Sequence, residues 1–144
     1  MTTGNVENII ITPLRRIPTE GGDVLHGCKK SDEGFVGFGE VYFSMIAKHK
    51  VKAWKRHINM TLNLVAPIGQ IGFVFVDVRG IRRVVCIGES NYVRITVPPG
   101  IWFGFIGLSQ KHSVLMNLAD IEHDPQEIER LDWKEIAFDW STFE

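Results

Sequence analysis

The sequence predicts an all-β protein, a sandwich or barrel of short strands. Three observations carry that reading. Short runs rich in Val, Ile, Phe and Tyr recur between Gly and Pro turns spaced ~8–12 residues apart. Where polar and apolar residues alternate they do so with period two, as in Glu40-Val41-Tyr42-Phe43-Ser44-Met45. No helical stretch separates the strands, which excludes an alternating α/β chain.

The elements follow in order. Residues 6–11 form a β-branched run closed by Thr12-Pro13, read as an edge strand or arm, and Gly21-Gly22 turns the chain before a short strand near residues 23–28. Residues 38–46 have unlike faces: Glu40, Tyr42 and Ser44 on one, Val41, Phe43 and Met45 on the other. In residues 51–58, strict alternation puts Lys52, Trp54 and Arg56 on one side and Val51, Ala53, Lys55 and His57 on the other. Residues 60–65 are an apolar strand broken by Pro67-Ile68-Gly69. Residues 71–78 are almost continuously apolar, the pattern of a strand covered on both faces. Residues 83–87 and 92–97 follow, then the fixed turn Pro98-Pro99-Gly100, then strands at 101–106 and 113–118. Only the tail reads as helical. Asp124 is a good N-cap, Pro125 suits the first helical position, and residues 126–131 supply two turns.

Length and composition set the class. A chain of 144 residues reads as one domain spanning residues 1–144, with 44% hydrophobic and 23% charged residues. A net charge of -1 gives no bulk attraction to nucleic acid or to a membrane surface. No apolar run approaches the ~18 residues of a spanning helix. The start, MTTGNVEN, has neither the basic residues nor the apolar core of an export signal, so the cytoplasm is the expected compartment. Cys28 and Cys86 fit no metal spacing and read as free thiols.

The second half carries a longer signature. Glu89-Ser90-Asn91, then Ile95-x-Val97-Pro98-x-Gly100, then Gly104-Phe105 resembles the pattern of the dTDP-4-dehydrorhamnose 3,5-epimerase family, a branch of the cupin superfamily. His57 at a strand end, the turn at Gly69 and the strand after it occur in that family's order, and the likeness covers roughly residues 6–120. The resemblance implies a cupin jelly roll, or double-stranded β-helix sandwich, with a short C-terminal helix. It implies a homodimer, and a metal-independent epimerase or isomerase without a cofactor. The substrate it implies is a nucleotide-linked 4-keto-6-deoxy sugar in surface polysaccharide biosynthesis.

The chain departs from the pattern at four positions. Trp54-Lys55-Arg56-His57 stands where the family has Arg-Gly-x-His. The following strand has no lysine, residues 119–123 have no tyrosine, and Phe103 replaces the last histidine.

Epimerisation beside a ketone needs a base, an acid on the opposite face of the ring, and a cation or donor for the enolate oxygen. His57 is the candidate base, because imidazole titrates near neutrality. A strand-end histidine satisfied by a backbone partner is the structural alternative. Tyr42, on the polar face of its strand, is the candidate donor; its alternative is a packed ring with a bonded hydroxyl. Lys52, Lys55, Arg56 and Arg94 are candidates for the diphosphate, and Trp102 for stacking on base or sugar. One imidazole without carboxylates makes no metal site. The alternative function is a binding or accessory cupin that holds a nucleotide sugar without turning it over; a structural jelly roll is a third.

Overall fold

The structure, a computed structural model, describes residues 4–143. Twelve strands are present: β1 (Ile10–Pro13), β2 (Arg16–Ile17), β3 (Val24–Leu25), β4 (Glu40–Ile46), β5 (Val51–His57), β6 (Leu62–Ile68), β7 (Gln70–Val76), β8 (Arg82–Gly88), β9 (Val93–Val97), β10 (Trp102–Gly107), β11 (Ser113–Ala119) and β12 (Ile128–Arg130). One five-stranded sheet has the order β1-β9-β6-β11-β4 and the other β12-β5-β10-β7-β8; β2 and β3 form a hairpin of their own. Every pairing between these strands is antiparallel.

The sheets close on an apolar core built by period-two alternation. Leu62, Leu64 and Ala66 of β6 and Ile95 and Val97 of β9 meet Ile71, Phe73 and Phe75 of β7 and Phe103 and Phe105 of β10. The continuous apolar run of β7 has a second cause. Its other face, Val74 and Val76, packs under a separate cluster of Trp54, Ile106, Trp140, Phe138 and Phe143. The C-terminal segment thus covers the outer face of the second sheet, and β7 is buried on both sides.

Three expectations are corrected. The tail is not a two-turn helix. Asp124 does cap, its carboxylate accepting the Gln126 N–H at 3.0 Å, and Pro125 does open the turn, but a single 3-10 turn (Pro125–Glu127) leads straight into β12. Ladder bonds to β5, with Ile128 opposite His57 and Arg130 opposite Lys55, replace the next helical turn. The run at residues 6–11 is the expected edge strand only in its second part: Val6–Asn8 is a 3-10 turn, Val6 and Ile9 are buried in the chain's own core, and β1, at the edge of its sheet, pairs with β9. The strand at 60–65 also runs on through Pro67 to Ile68. Proline has no N–H for the ladder, and the register between β6 and β11 slips there, with Val114 opposite Ile68 but Met116 opposite Val65.

The outer face of the first sheet divides in two. Over β9 and β6, the loop at residues 27–33 folds across Arg94, which is wholly buried. Its guanidinium donates to Asn63 Oδ1 (3.0 Å), Asp32 Oδ2 (3.1 Å) and the carbonyls of Gly27 (3.0 Å) and Glu33 (3.1 Å). Removing the anion leaves a buried cation without its charge partner. Asp32→Ala is therefore expected to destabilise the fold, read as a lower urea midpoint at unchanged m-value. On β4, at the edge of this sheet, Val41, Phe43 and Met45 stand exposed.

Candidate active site

The inward face of β5 sets the site. Its ladder to β10 skips one residue: Phe103 lies opposite Lys55 and Gly104 opposite Ala53. Trp54, the residue left over, pairs on its other side with Leu131. This bulge breaks strict alternation, so Lys52 faces the interior beside Lys55 although the two are three residues apart. Gly104 permits the close approach there, since a Cβ on it would lie 2.5 Å from the Cβ of Ala53.

His57 ends β5, and the second motif holds it. The Gly100 N–H of the Pro98-Pro99-Gly100 turn donates to the His57 carbonyl at 2.8 Å, and Gly100 takes the left-handed φ of 86° that suits glycine. Phe103 lies against the imidazole, the rings stacked at 6.2 Å between centroids. The side chain is buried, and neither ring nitrogen has a hydrogen-bond partner among the described residues. The backbone partner of the structural alternative is therefore absent. Glu127, whose charge acts to raise the imidazole pKa, does not bond the ring and is engaged by the backbone N–H groups of Asn59 and Met60.

Burial, and then the charge of Lys55, lower the imidazole pKa to about 4. Burial also lowers Lys55, to about 8, with the charges of Arg130 and Lys52 acting in the same direction. The Lys55 ammonium lies 5.6 Å from the Phe103 ring centroid. Tyr42 is pushed up, first by burial and then by Glu40.

These groups line two adjoining cavities between the sheets, which share Lys55 and Arg130. One, about 340 Å³, is walled by Ser44, Lys52, Lys55, Phe105, Asn117 and Arg130. The other, about 380 Å³, is walled by Glu40, Tyr42, Lys55, His57, His123 and Arg130. Each lies in the range of ~300–1,000 Å³ typical of small-molecule sites. Tyr42 reaches the cavity of His57 from the opposite sheet, and its hydroxyl has no hydrogen-bond partner among the described residues.

The structure brings His57, Tyr42, Lys55 and Lys52 together and removes three other candidates. Arg94 is on the outer face of the first sheet, held by Asp32. Arg56 points out of the second sheet, pairing with Glu129 at 3.0 Å and lying 4.5 Å from the ring centroid of Trp102. Trp102 belongs to the outer cluster under the C-terminal segment. Alternation accounts for all three: each neighbours an inward residue and so faces away. Arg130 and Asn117 were not anticipated. Asn117 was open to discovery, since it alternates with Leu115 and Ala119, but Arg130 was hidden by the helical reading of its segment. His123, which lies outside both sequence stretches, also borders the cavity. Among the described residues, no group of three His, Cys, Asp or Glu is placed to hold a metal ion, and no helix is long and apolar enough to cross a membrane.

A buried imidazole, a phenol from the opposite sheet and a desolvated lysine thus line one cavity of an antiparallel two-sheet sandwich. No family model matches the chain. It is 32% identical over 112 residues to the probable low-salt glycan biosynthesis epimerase Agl13 of Haloferax volcanii, covering 70% of this chain and 72% of that protein. It superimposes on the crystal structure of a dTDP sugar isomerase from Desulfovibrio desulfuricans G20 with a TM-score of 0.90 and 37% identity, covering 94% and 92% of the two chains. The fold is also that of the 3,5-epimerase RmlC from Legionella pneumophila in complex with dTDP-4-keto-L-rhamnose, with TM-score 0.80 and 16% identity over 96% of this chain and 81% of that one. The chain belongs to the dTDP-4-dehydrorhamnose 3,5-epimerase-like family of nucleotide-sugar epimerases and isomerases.

Proposed function

We propose that this protein epimerises or isomerises a dTDP-linked 4-keto-6-deoxy sugar, in a cytoplasmic step of surface polysaccharide biosynthesis, with His57 as base and Tyr42 as acid. The observation that carries this is the opposition of the two groups: an unpartnered imidazole on β5 and an unpartnered phenol on β4, on facing sheets. Neutral His57 takes the proton from the carbon beside the ketone. The C–H pair moves into the ring and the carbonyl π pair onto oxygen, giving an enolate whose charge the Lys55 ammonium balances. Tyr42 returns a proton to that carbon from the opposite face as the carbonyl re-forms. Tyr42 then regains a proton from solvent and the His57 imidazolium gives its own up to solvent, which restores both groups. The substrate class is supported by the dTDP sugar isomerase at 37% identity and the pathway by the glycan biosynthesis epimerase.

Deuterium wash-in from heavy water into a dTDP-4-keto-6-deoxy sugar, followed by NMR, tests the reading. Exchange at a carbon flanking the ketone is expected. A ligand that binds and never exchanges would leave a binding cupin in its place.

The functional unit in this reading is a homodimer. With the N-terminal arm committed to its own sheet, the exposed Val41, Phe43 and Met45 of β4 are the surface we assign to a second copy. Sedimentation at micromolar concentration should give a dimer, and Phe43→Lys should give a monomer with an unchanged fold. A wild-type monomer would remove this assignment.

A further inference from the structure

Arg130 is the cation in this cleft that neither sequence motif accounts for. Alternation along β12 sends Glu129 outward, where it pairs with Arg56, and turns Ile128 and Arg130 into the cavity. Arg56, Arg79 and Arg94 each hold a carboxylate. The Arg130 guanidinium has no hydrogen bond or ion pair among the described residues. Its charge lowers the proton affinity of Tyr42, Lys55 and His57, in each case as a smaller contribution than burial, and among the described residues no other charge acts on all three. Glu40, Lys52, Glu127 and His123 each act on only one of them.

The two halves of the cleft differ in sign. The half with Ser44 and Asn117 has Lys52, Lys55 and Arg130 in its wall and no carboxylate. The half with His57 and Tyr42 contains Glu40, whose Oε1 is engaged by the His123 N–H at 2.8 Å. Three cations in one wall without a carboxylate, Lys52 at the exposed mouth with its Nζ donating to the Met45 carbonyl at 3.0 Å and Arg130 unpaired, suit an anion that arrives with the ligand. A planar fork of donors is the group best matched to phosphate oxygens.

We propose that the half walled by Lys52, Lys55 and Arg130 is the diphosphate subsite, and that Arg130 is its anchor, directing the sugar ring toward His57 and Tyr42. This rests on the nucleotide-sugar reading above. It also gives the C-terminal segment a role. Leu131 exchanges both backbone hydrogen bonds with Trp54 at 3.0 Å, and Trp54 Nε1 donates to the Trp133 carbonyl at 3.1 Å. The Trp140 ring lies 5.4 Å from that of Trp54. The aromatic tail thereby fixes the strand that carries the anchor.

Calorimetry with dTDP and with thymidine on wild type, Arg130→Lys and Arg130→Gln tests this. Losing a charge-assisted contact is expected to weaken dTDP binding ~10–100-fold in Arg130→Gln. Arg130→Lys should fall between, since it keeps the charge and loses the fork. Thymidine, which lacks the diphosphate, should bind all three alike, and the melting temperatures should agree. Arg130→Gln binding dTDP within about twofold of wild type would overturn the assignment, as would an equal loss for thymidine. A wild type that binds no dTDP would overturn the nucleotide-sugar reading itself.

Discussion

Replacing His57 by alanine is expected to lower deuterium exchange into the sugar by ~10²–10⁴-fold, the contribution of a positioned general base. Binding should survive, because the cations of the other half-cleft are untouched. The structural alternative, a histidine kept for stability, makes the opposite prediction for a second variant. The imidazole is 4% exposed, and both its nitrogens lack partners. Such a group destabilises the fold, since a buried polar atom without a hydrogen bond costs about 1–3 kcal/mol. His57→Phe fills nearly the same space, adds a ring against Phe103, and removes the orphaned nitrogens. It should raise the melting temperature while abolishing exchange. That pairing of lost activity with gained stability marks a residue retained for chemistry. A His57→Phe variant that is less stable than wild type, or a His57→Ala variant that still exchanges at the wild-type rate, would remove His57 from the mechanism.

The fold was legible because its signals are local. Alternation, β-branched runs and Pro-Gly turns place nine of the ten strands of the two main sheets, all but β12, and the double-sided burial of β7 is visible in its unbroken apolar run. The site was half legible. On β4 the polar face, Glu40, Tyr42 and Ser44, turns inward and the apolar face, Val41, Phe43 and Met45, turns out. This inverts the usual sense because the interior at that edge is a cleft and not core. The sequence shows two unlike faces without showing which one is wet. Lys52 was placed on the wrong side of β5 because a single bulge at Trp54 shifts parity, and no local residue type announces it. Arg94 was misjudged because its burial depends on a loop some sixty residues away. Arg130 was missed because Asp124-Pro125 starts a 3-10 turn as readily as an α-helix. Pairing with β5, a long-range event, decides between them.

The pH profile provides the second large effect, and its sign follows from the roles. The base must be neutral, so activity rises as His57 loses its proton, through about pH 4. Burial and the Lys55 charge place that limb well below the ~6.5 of an ordinary imidazole. The enolate partner must be charged, so activity falls as Lys55 loses its proton, through about pH 8. Tyr42 must keep its proton to donate it, and its raised pKa keeps its ionisation above that limb. The profile of kcat/KM, which reports the free enzyme, should therefore be a plateau from about pH 5 to 7 that declines on the alkaline side. Lys55→Met separates the groups. It should lower the plateau ~10²–10³-fold, the scale of one lost oxyanion donor, and abolish the alkaline limb near 8. The acid limb should remain and move upward, since the cation that most depresses His57 is gone. An alkaline limb unchanged in Lys55→Met would assign it to another group. An acid limb near 6.5 in the wild type would mean that the catalytic imidazole is wet, and that the dry pocket formed by Phe103 and the Gly100 turn is not where the proton is taken.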